Sequence, residues 1–219
     1  MLRMGPQLRL YGRNSSSFNE KEAAMHIGLP AGRWRIFAST EVMLQWVYPE
    51  RKRENQNILQ ILRHGIFDIP THLARMIMLP YPAEGSWSLY VLDKIYRQIT
   101  VVDPVLTWKR EDEYMAKHAK NIRLIKKGFT PIGALIGGGW KIKEKEWDTK
   151  YNYKLSYPCT VEESATFIYH YARYFDGDTL LANIDPEECR RLKHEILYGV
   201  VGMAGNAAAI PTFWSNNGT

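Results

Sequence analysis

Short apolar runs and amphipathic helical stripes alternate along the 219 residues and predict a mixture of strands and helices. Residues Asp93 and Lys94 form a polar turn between two of the apolar runs, which is typical of a hairpin. We therefore predict a small sheet of three or more strands in the middle of the chain. The strand candidates are 76–79 (before Pro80), 87–92, 99–102 and 147–157.

Helical patterns lie on both sides of the strand cluster. Thr160 and Glu163 have the spacing of a capping box before one helix, and Asp185, Pro186 and Glu188 have the cap, first-turn and box positions of another. The predicted helices are 41–47, 54–64, 111–127 (a charged surface helix), 160–175 and 185–202. Helices, then strands, then helices again indicate an α+β domain.

Composition narrows the class of protein. A hydrophobic fraction of 45%, with seven Trp and thirteen Tyr, is enough for a substantial core without disulfides. The net charge of +6 favours an acidic partner or an anionic surface. No compact Arg/Lys cluster interleaved with aromatic residues occurs, so we predict no specific nucleic-acid binding. The Lys141–Lys145 run alternates with acid, as a solvated loop or an edge strand does.

Cysteine and histidine usage bears on compartment and cofactors. The only two cysteines, Cys159 and Cys189, exclude a disulfide framework and Cys-rich zinc sites, and they fit a reducing compartment. No His/Cys/Asp/Glu spacing suits zinc, so no metal or cofactor is expected. No apolar run has the length of a membrane span. We expect a location inside the cell, nuclear or cytoplasmic, and leave the oligomeric state open.

The N-terminal segment gives an alternative location. Residues 1–18 contain three arginines and three serines but no acidic residue, as mitochondrial targeting peptides do. Gly5, Pro6 and Gly12 interrupt any amphipathic helix there, so a disordered arm or the trimmed edge of a longer parent is favoured. We predict a partly flexible arm at 1–38, one folded domain at 39–206 and a tail at 207–219.

Three segments in order carry a family resemblance: the strand 86–93 (SWSLYVLD), the strand 99–104 (ITVVDP) and the helix 163–176 (ESATFIYHYARYFD). With the closing helix they resemble the catalytic domain of the ubiquitin-like-protein (SUMO) protease family, especially its divergent, transposon-associated plant branch. In that family a His precedes the Trp of the first strand, an Asp ends the second, and Asp-Cys-Gly opens the helix. The resemblance implies a papain-like cysteine-protease fold of the SUMO-protease type, with a small mixed central sheet flanked by helices.

The catalytic positions that the resemblance assigns are degenerate. The base position is Ser86 and the nucleophile position is Ser164, and only Asp103 keeps the expected residue. Ala165 replaces the glycine after the nucleophile, and the oxyanion-donating Gln falls near Pro158. A hydroxyl nucleophile needs a base even more than a thiol does, and two serines cannot supply one. Asp103 alone, before a proline, is also an ordinary turn starter.

The degenerate triad implies a catalytically inactive protein that acts by protein–protein binding. The resemblance places the partner, a ubiquitin-like protein or another protein, in a groove around Trp87. One alternative is an active cysteine peptidase that uses Cys159, which lies just before the Thr160 cap, with His72, His118 or His170 as base. The plainer interpretation of Cys159 is a buried structural cysteine. A further alternative is a decayed transposon-derived protease fragment without selected activity.

Overall fold

The computed structural model describes residues 35–47, 71–105, 111–143, 145–152 and 159–201, and the helix predicted at 54–64 lies outside these ranges. The described residues form five strands and four helices. In chain order they are β1 (Arg35–Phe37), α1 (Glu41–Val47), β2 (Met76–Ala83), β3 (Ser86–Asp93), β4 (Gln98–Val102), α2 (Glu111–Ile136), β5 (Asp148–Asn152), α3 (Ser164–Tyr174) and α4 (Pro186–Val201).

The five strands form one mixed sheet in the order β1-β2-β3-β4-β5. The three central strands are antiparallel, and each edge strand is parallel to its neighbour. The predicted α+β class with a small mixed sheet flanked by helices is therefore confirmed.

Strand β2 is longer than predicted because it continues through Pro80 and Pro82. The Ala38 N–H donates to the Met78 carbonyl at 2.8 Å, so even-numbered residues of β2 turn their backbone polar groups toward β1. Because β1 ends opposite Met78, no strand among the described residues pairs with β2 at the two prolines on the side where their missing amide hydrogens would point.

Side chains alternate between the two faces of the sheet and form a hydrophobic core on each. On β3, Tyr90 and Leu92 pack in the core under α1 and α2, whereas Leu89 and Val91 pack in the core under α3 and α4. The alternation assigns Ser86 to the α2 face of the sheet and Trp87 to the α3 face.

Helix α2 was predicted to end at Lys127 and instead continues to Ile136, past Pro131. A proline inside a helix costs about 3 kcal/mol. Phe129 and Ile132 lie in the core beyond the predicted end, and their burial offsets that cost. The prediction of a surface helix is therefore correct for one face of α2 only, because the opposite face is buried along the length of the helix.

The caps predicted for α3 and α4 are found in part: Glu163, at the N-cap position of α3, makes no side-chain capping bond there, and the box predicted for α4 is incomplete. The Thr160 and Glu163 side chains exchange hydrogen bonds with each other's backbone N–H at 3.3 and 3.5 Å, one turn before α3 begins. Asp185 Oδ1 accepts the Glu188 N–H at 2.8 Å, but the Glu188 carboxylate binds Arg191 rather than completing a box.

The glycine triplet after α2 is explained by backbone geometry. Gly137, Gly138 and Gly139 all have positive φ, at +74°, +59° and +89°. A Cβ on Gly138 would lie 2.3 Å from the His72 carbonyl oxygen, whereas one on Gly139 would meet nothing within 4 Å. The loop therefore needs glycine at 138 for a close backbone approach as well as for its φ.

The domain limits at 38/39 and 206/207 stay predictions, and β1 lies on the N-terminal side of the first limit. No helix in the described ranges has both the length and the apolar character that crossing a membrane requires.

We expect Gly138→Ala and Gly139→Ala to separate steric clash from backbone strain. Gly139→Ala should lower the free energy of unfolding by about 1 kcal/mol through positive φ alone. Gly138→Ala should lower it by at least about 1 kcal/mol more, because the new methyl group meets a carbonyl oxygen. Urea unfolding of both variants measures the difference, and equal losses would contradict the close approach to His72.

Candidate functional site

Two residues predicted from sequence lie on the α2 side of the sheet. Ser86 begins β3, and Asp103 follows Val102, the last residue of β4. Val102 pairs with Leu89, so the end of β4 lies close to the start of β3. Both Ser86 and Asp103 are buried.

Lys117 of α2 lies between these two residues. Its Nζ donates to Ser86 Oγ at 3.0 Å and to Asp103 Oδ2 at 2.5 Å. The lysine side chain is only 5% exposed and the aspartate is fully buried, so the ion pair is shielded from solvent. The ammonium therefore occupies the space between the position the resemblance gives to the base and the position it gives to the acid.

Asp103 makes further hydrogen bonds through both carboxylate oxygens and its backbone N–H. Oδ1 accepts the Val105 N–H at 3.0 Å, and Oδ2 also contacts His118 Nε2 at 3.1 Å. The Asp103 N–H donates to the Tyr114 hydroxyl at 3.1 Å. A buried carboxylate needs such donors, because burial without them costs several kcal/mol.

His118 is fully buried, and both of its ring nitrogens are engaged. Nε2 faces Asp103 and Nδ1 lies 2.9 Å from the Tyr90 hydroxyl, which also accepts from Asn121 Nδ2 at 2.7 Å. Since the Tyr90 hydroxyl already accepts from Asn121, the assignment that satisfies every group has Tyr90 donating to Nδ1 and Nε2–H donating to Asp103. Burial raises the pKa of Tyr90 above its ordinary value, so it keeps the proton that this bond needs.

Ser164, at the predicted nucleophile position, is held by backbone groups. The Trp87 N–H donates to Ser164 Oγ at 3.0 Å, and Oγ donates to the Val161 carbonyl at 2.5 Å. Because β4 ends opposite Leu89, the Trp87 N–H has no hydrogen-bond acceptor on β4. The Ser164 hydroxyl accepts this N–H instead. Within the described ranges no side chain is placed to accept the Ser164 proton, and the residue is buried.

The other positions named from sequence lie around this centre. The Trp87 side chain is 7% exposed and packs in the core under α3, so it presents little surface; its place in a partner groove stays a prediction. Ala165 is partly buried against the same core, and Pro158 lies outside the described residues.

Cys159 does not meet a histidine. Its Sγ donates to the Thr160 carbonyl at 3.0 Å, and no imidazole lies within hydrogen-bond distance among the residues the structure describes. Burial raises the pKa of the thiol well above its ordinary value, and the Glu163 charge adds to the shift. His72 is exposed, and His170 Nε2 bonds the Ala182 carbonyl at 3.0 Å, with its pKa lowered chiefly by burial. A reactive thiolate needs the opposite environment.

Sequence reasoning named His118 of α2 only as one of three candidate bases for Cys159, and it missed Lys117 and Asn121, which complete the site. His118 and Asn121 occupy the same helical stripe as Tyr114, Ile122 and Ile125, and all five are buried. A polar residue within an otherwise apolar stripe must find a buried partner, and this signal was present in the sequence. Lys117 gave no such signal, since a lysine on a charged helix is usually solvated.

The polar groups of the site do not include a metal-ligand set. No group of three His, Cys, Asp or Glu side chains in the described part of the chain is placed to hold a metal ion. The chemistry available is a buried charge pair with a satisfied hydrogen-bond network.

Comparison with known proteins shows the fold. The catalytic domain of the Ulp1-like SUMO protease of Chaetomium thermophilum aligns with 89% of this chain and 69% of its own, at a TM-score of 0.52 and 11% identity. The fold is that of the SUMO-protease catalytic domain. The SUMO protease Ulp1 with its catalytic cysteine oxidised to a sulfenic acid aligns over 90% of this chain and 84% of its own, at a TM-score of 0.53 and 14% identity.

A de-sumoylating protease gives a similar alignment, over 87% of this chain and 74% of its own, at a TM-score of 0.52 and 9% identity. No protein-family model matches the sequence, and no curated protein is significantly similar to it. At these identities the similarity concerns the fold alone.

The Lys117–Asp103 pair should be strongly coupled in stability. Lys117→Met leaves a buried carboxylate without its cation, and we expect a loss of about 3–5 kcal/mol in the free energy of unfolding. The double variant with Asp103→Asn should lose less than the sum of the single losses, by at least about 1 kcal/mol. Urea unfolding of the four proteins measures the cycle.

Lys120→Met, an exposed change on the same helix, is the matched control and should cost under about 0.5 kcal/mol. Additive losses at 117 and 103 would show that the pair does not interact as described.

The two thiols should be unreactive in the folded chain. Each unit by which burial raises a thiol pKa lowers the thiolate fraction tenfold, so we expect reaction with Ellman's reagent at pH 7.5 at least about a hundredfold slower than in urea. The Cys159→Ser variant separates the contribution of Cys189. Fast reaction of Cys159 in the native chain would contradict its buried placement.

Proposed function

We propose that this chain is a catalytically inactive protein with the SUMO-protease fold, and that it acts by binding another protein. A ubiquitin-like protein is the first candidate, since the folds it resembles belong to proteins named as SUMO proteases. The sequence resemblance to the divergent, transposon-associated plant branch supports descent from an enzyme whose triad has degenerated. Binding without cleavage is the function that such a scaffold retains.

The observation that carries the proposal is the position of Lys117. In a cysteine or serine protease triad, the carboxylate orients an imidazole that accepts the nucleophile's proton. Here Asp103 Oδ2 faces the Lys117 ammonium, which also bonds Ser86 Oγ. An ammonium has three donors and no acceptor, so this group cannot take a proton from a nucleophile.

The nucleophile position supports the same conclusion independently. Ser164 Oγ directs its hydrogen to the Val161 carbonyl and accepts the Trp87 N–H, and the side chain is fully buried. A nucleophile must reach the substrate carbonyl and must have a base within hydrogen-bond reach. Ser164 has neither in the described residues.

A partner would contact the exposed rim of this site. Glu84 and Gly85 form the exposed turn between β2 and β3, directly before Ser86. Val161, whose carbonyl binds Ser164, is 47% exposed, and Glu162 beside it is exposed. We call Glu84, Gly85, Val161 and Glu162 the rim. It presents one apolar side chain and two acidic side chains next to the buried centre.

An activity probe tests the loss of catalysis. A SUMO or ubiquitin whose C-terminal tail ends in a thiol-reactive electrophile should not label the chain, and a SUMO precursor should not be cleaved, because no thiolate–imidazole pair is assembled. An active SUMO protease treated in parallel is the positive control. Labelling that disappears in Cys159→Ala would establish the alternative of an active, rearranged peptidase and overturn inactivity.

Calorimetric titration tests the proposed binding of a ubiquitin-like protein. We expect SUMO or ubiquitin to bind the full chain, and Val161→Arg to weaken that binding at least about tenfold by placing a charge in the rim. Leu135→Arg is the matched control: Leu135 is 73% exposed and lies about 27 Å along α2 from Lys117, so affinity should not change. No binding of either protein would contradict the ubiquitin-like partner, and equal losses in both variants would contradict the rim as its site.

A further inference from the structure

Helix α2 segregates its charges along its length. Glu111, Asp112 and Glu113 occupy the first turn, where carboxylates favour the helix dipole. From Ala116 to Ile136 the sequence holds five cationic residues and no acidic one. Lys117 is used in the buried ion pair, so the other four cations need a separate explanation.

Three of these cations lie on the outer face of α2. Lys120, Arg123 and Lys127 are exposed, and their helical positions lie opposite the buried stripe of the helix. None of the three has an acidic partner within the described ranges. They form a row about 10 Å long, because seven residues of helix rise about 1.5 Å each.

The loop after α2 extends this row. Lys126 Nζ donates to the Trp147 carbonyl at 2.8 Å. Thr130 Oγ1, which donates to the Lys126 carbonyl at 2.7 Å, lies 3.3 Å from the Ile142 carbonyl oxygen, so the loop runs alongside the helix. Exposed Lys141, Lys143 and Lys145 follow one another in that loop.

The acidic residue described in this loop does not neutralise it. Glu146 is bound by Lys143 at 2.6 Å and lies 3.5 Å from Arg97. The hydrogen bond from Lys143 lowers the pKa of the Glu146 carboxyl, and Arg97 and Lys141 contribute in the same direction. The neighbouring Glu144 lies outside the described residues. The surface therefore keeps an excess of positive charge.

We propose that this surface binds the phosphate backbone of duplex nucleic acid without reading its sequence. We call it the basic face, and its members are Lys120, Arg123, Lys127, Lys141 and Lys145. Rows of exposed lysine and arginine are the electrostatic footprint of phosphate binding. The proposal does not depend on the proposed protein partner, because the outer face of α2 points away from the sheet and from Ser164.

The chemistry of the basic face favours duplex phosphate over other anions. No large exposed hydrophobic side chain of the described residues lies at 116–134 or 140–147, whereas protein interfaces concentrate aromatic residues and are depleted in lysine. Single strands are held by bases stacked on exposed aromatic rings, which this face also lacks. The feature that the basic face does offer is positive charge complementary to the regular phosphate backbone of a duplex.

Fluorescence anisotropy with the full chain tests the proposal, with 20-base-pair DNA duplexes of two unrelated sequences as probes. We expect equal affinity for both, micromolar at about 50 mM salt and weaker as salt rises. K120Q/R123Q/K127Q should bind at least about tenfold more weakly, and its slope of log K against log salt should be shallower by about 2.7, the value for three lost phosphate contacts.

The control R190Q/R191Q/K193Q removes three exposed cations from α4 and lowers the net charge equally. Its affinity should change less than about twofold, and thermal unfolding establishes that both variants fold. The proposal would be overturned if both variants lost the same affinity, or if no duplex binding occurred at about 50 mM salt. It would also be overturned by a tenfold preference for single-stranded DNA, or by displacement of the duplex by polyglutamate at equal charge.

Discussion

A buried ion pair between Lys117 and Asp103 joins the long helix to the sheet at the point where the sheet's central strands end. Removing both charges from water costs several kcal/mol for each ion, and their attraction repays this only when the remaining donors and acceptors are satisfied. Ser86, His118 and the Val105 N–H provide that satisfaction. This contact and the buried apolar stripe of α2 together hold the helix against the sheet.

The same pair satisfies polar groups at two positions that the sequence resemblance assigns to a catalytic triad, Ser86 and Asp103. A serine in place of a histidine leaves a void and a carboxylate without its partner, which is costly in a dry interior. The Lys117 side chain fills the gap and supplies the positive charge, and the serine hydroxyl accepts one of its hydrogens. Ser86 and Lys117 are therefore physically complementary, because the Ser86 hydroxyl and the Asp103 carboxylate both accept hydrogen bonds from Lys117 Nζ.

Patterns local in sequence predicted much of this fold, and contacts distant in sequence account for what was missed. The strands around Trp87 and Asp103 and the capped helix after Thr160 follow from alternation and capping, which need only neighbouring residues. Lys117 could not be placed in the same way, because its burial depends on how α2 is rotated against the sheet. The end of α2 was predicted too early for the same reason. Pro131 lowers the local stability of the helix, but the burial of Phe129 and Ile132 in the core outweighs that cost.

Burial also decides where function can reside in this molecule. Ser86, Asp103, Ser164 and His118 are all hidden, so a partner cannot touch them whatever their ancestry. The two surfaces proposed to bind partners consist of side chains that stay in water: the rim at Val161 and the outer row of α2. The rim is apolar and acidic and the outer row of α2 is basic, so the two surfaces present different chemistry to a partner.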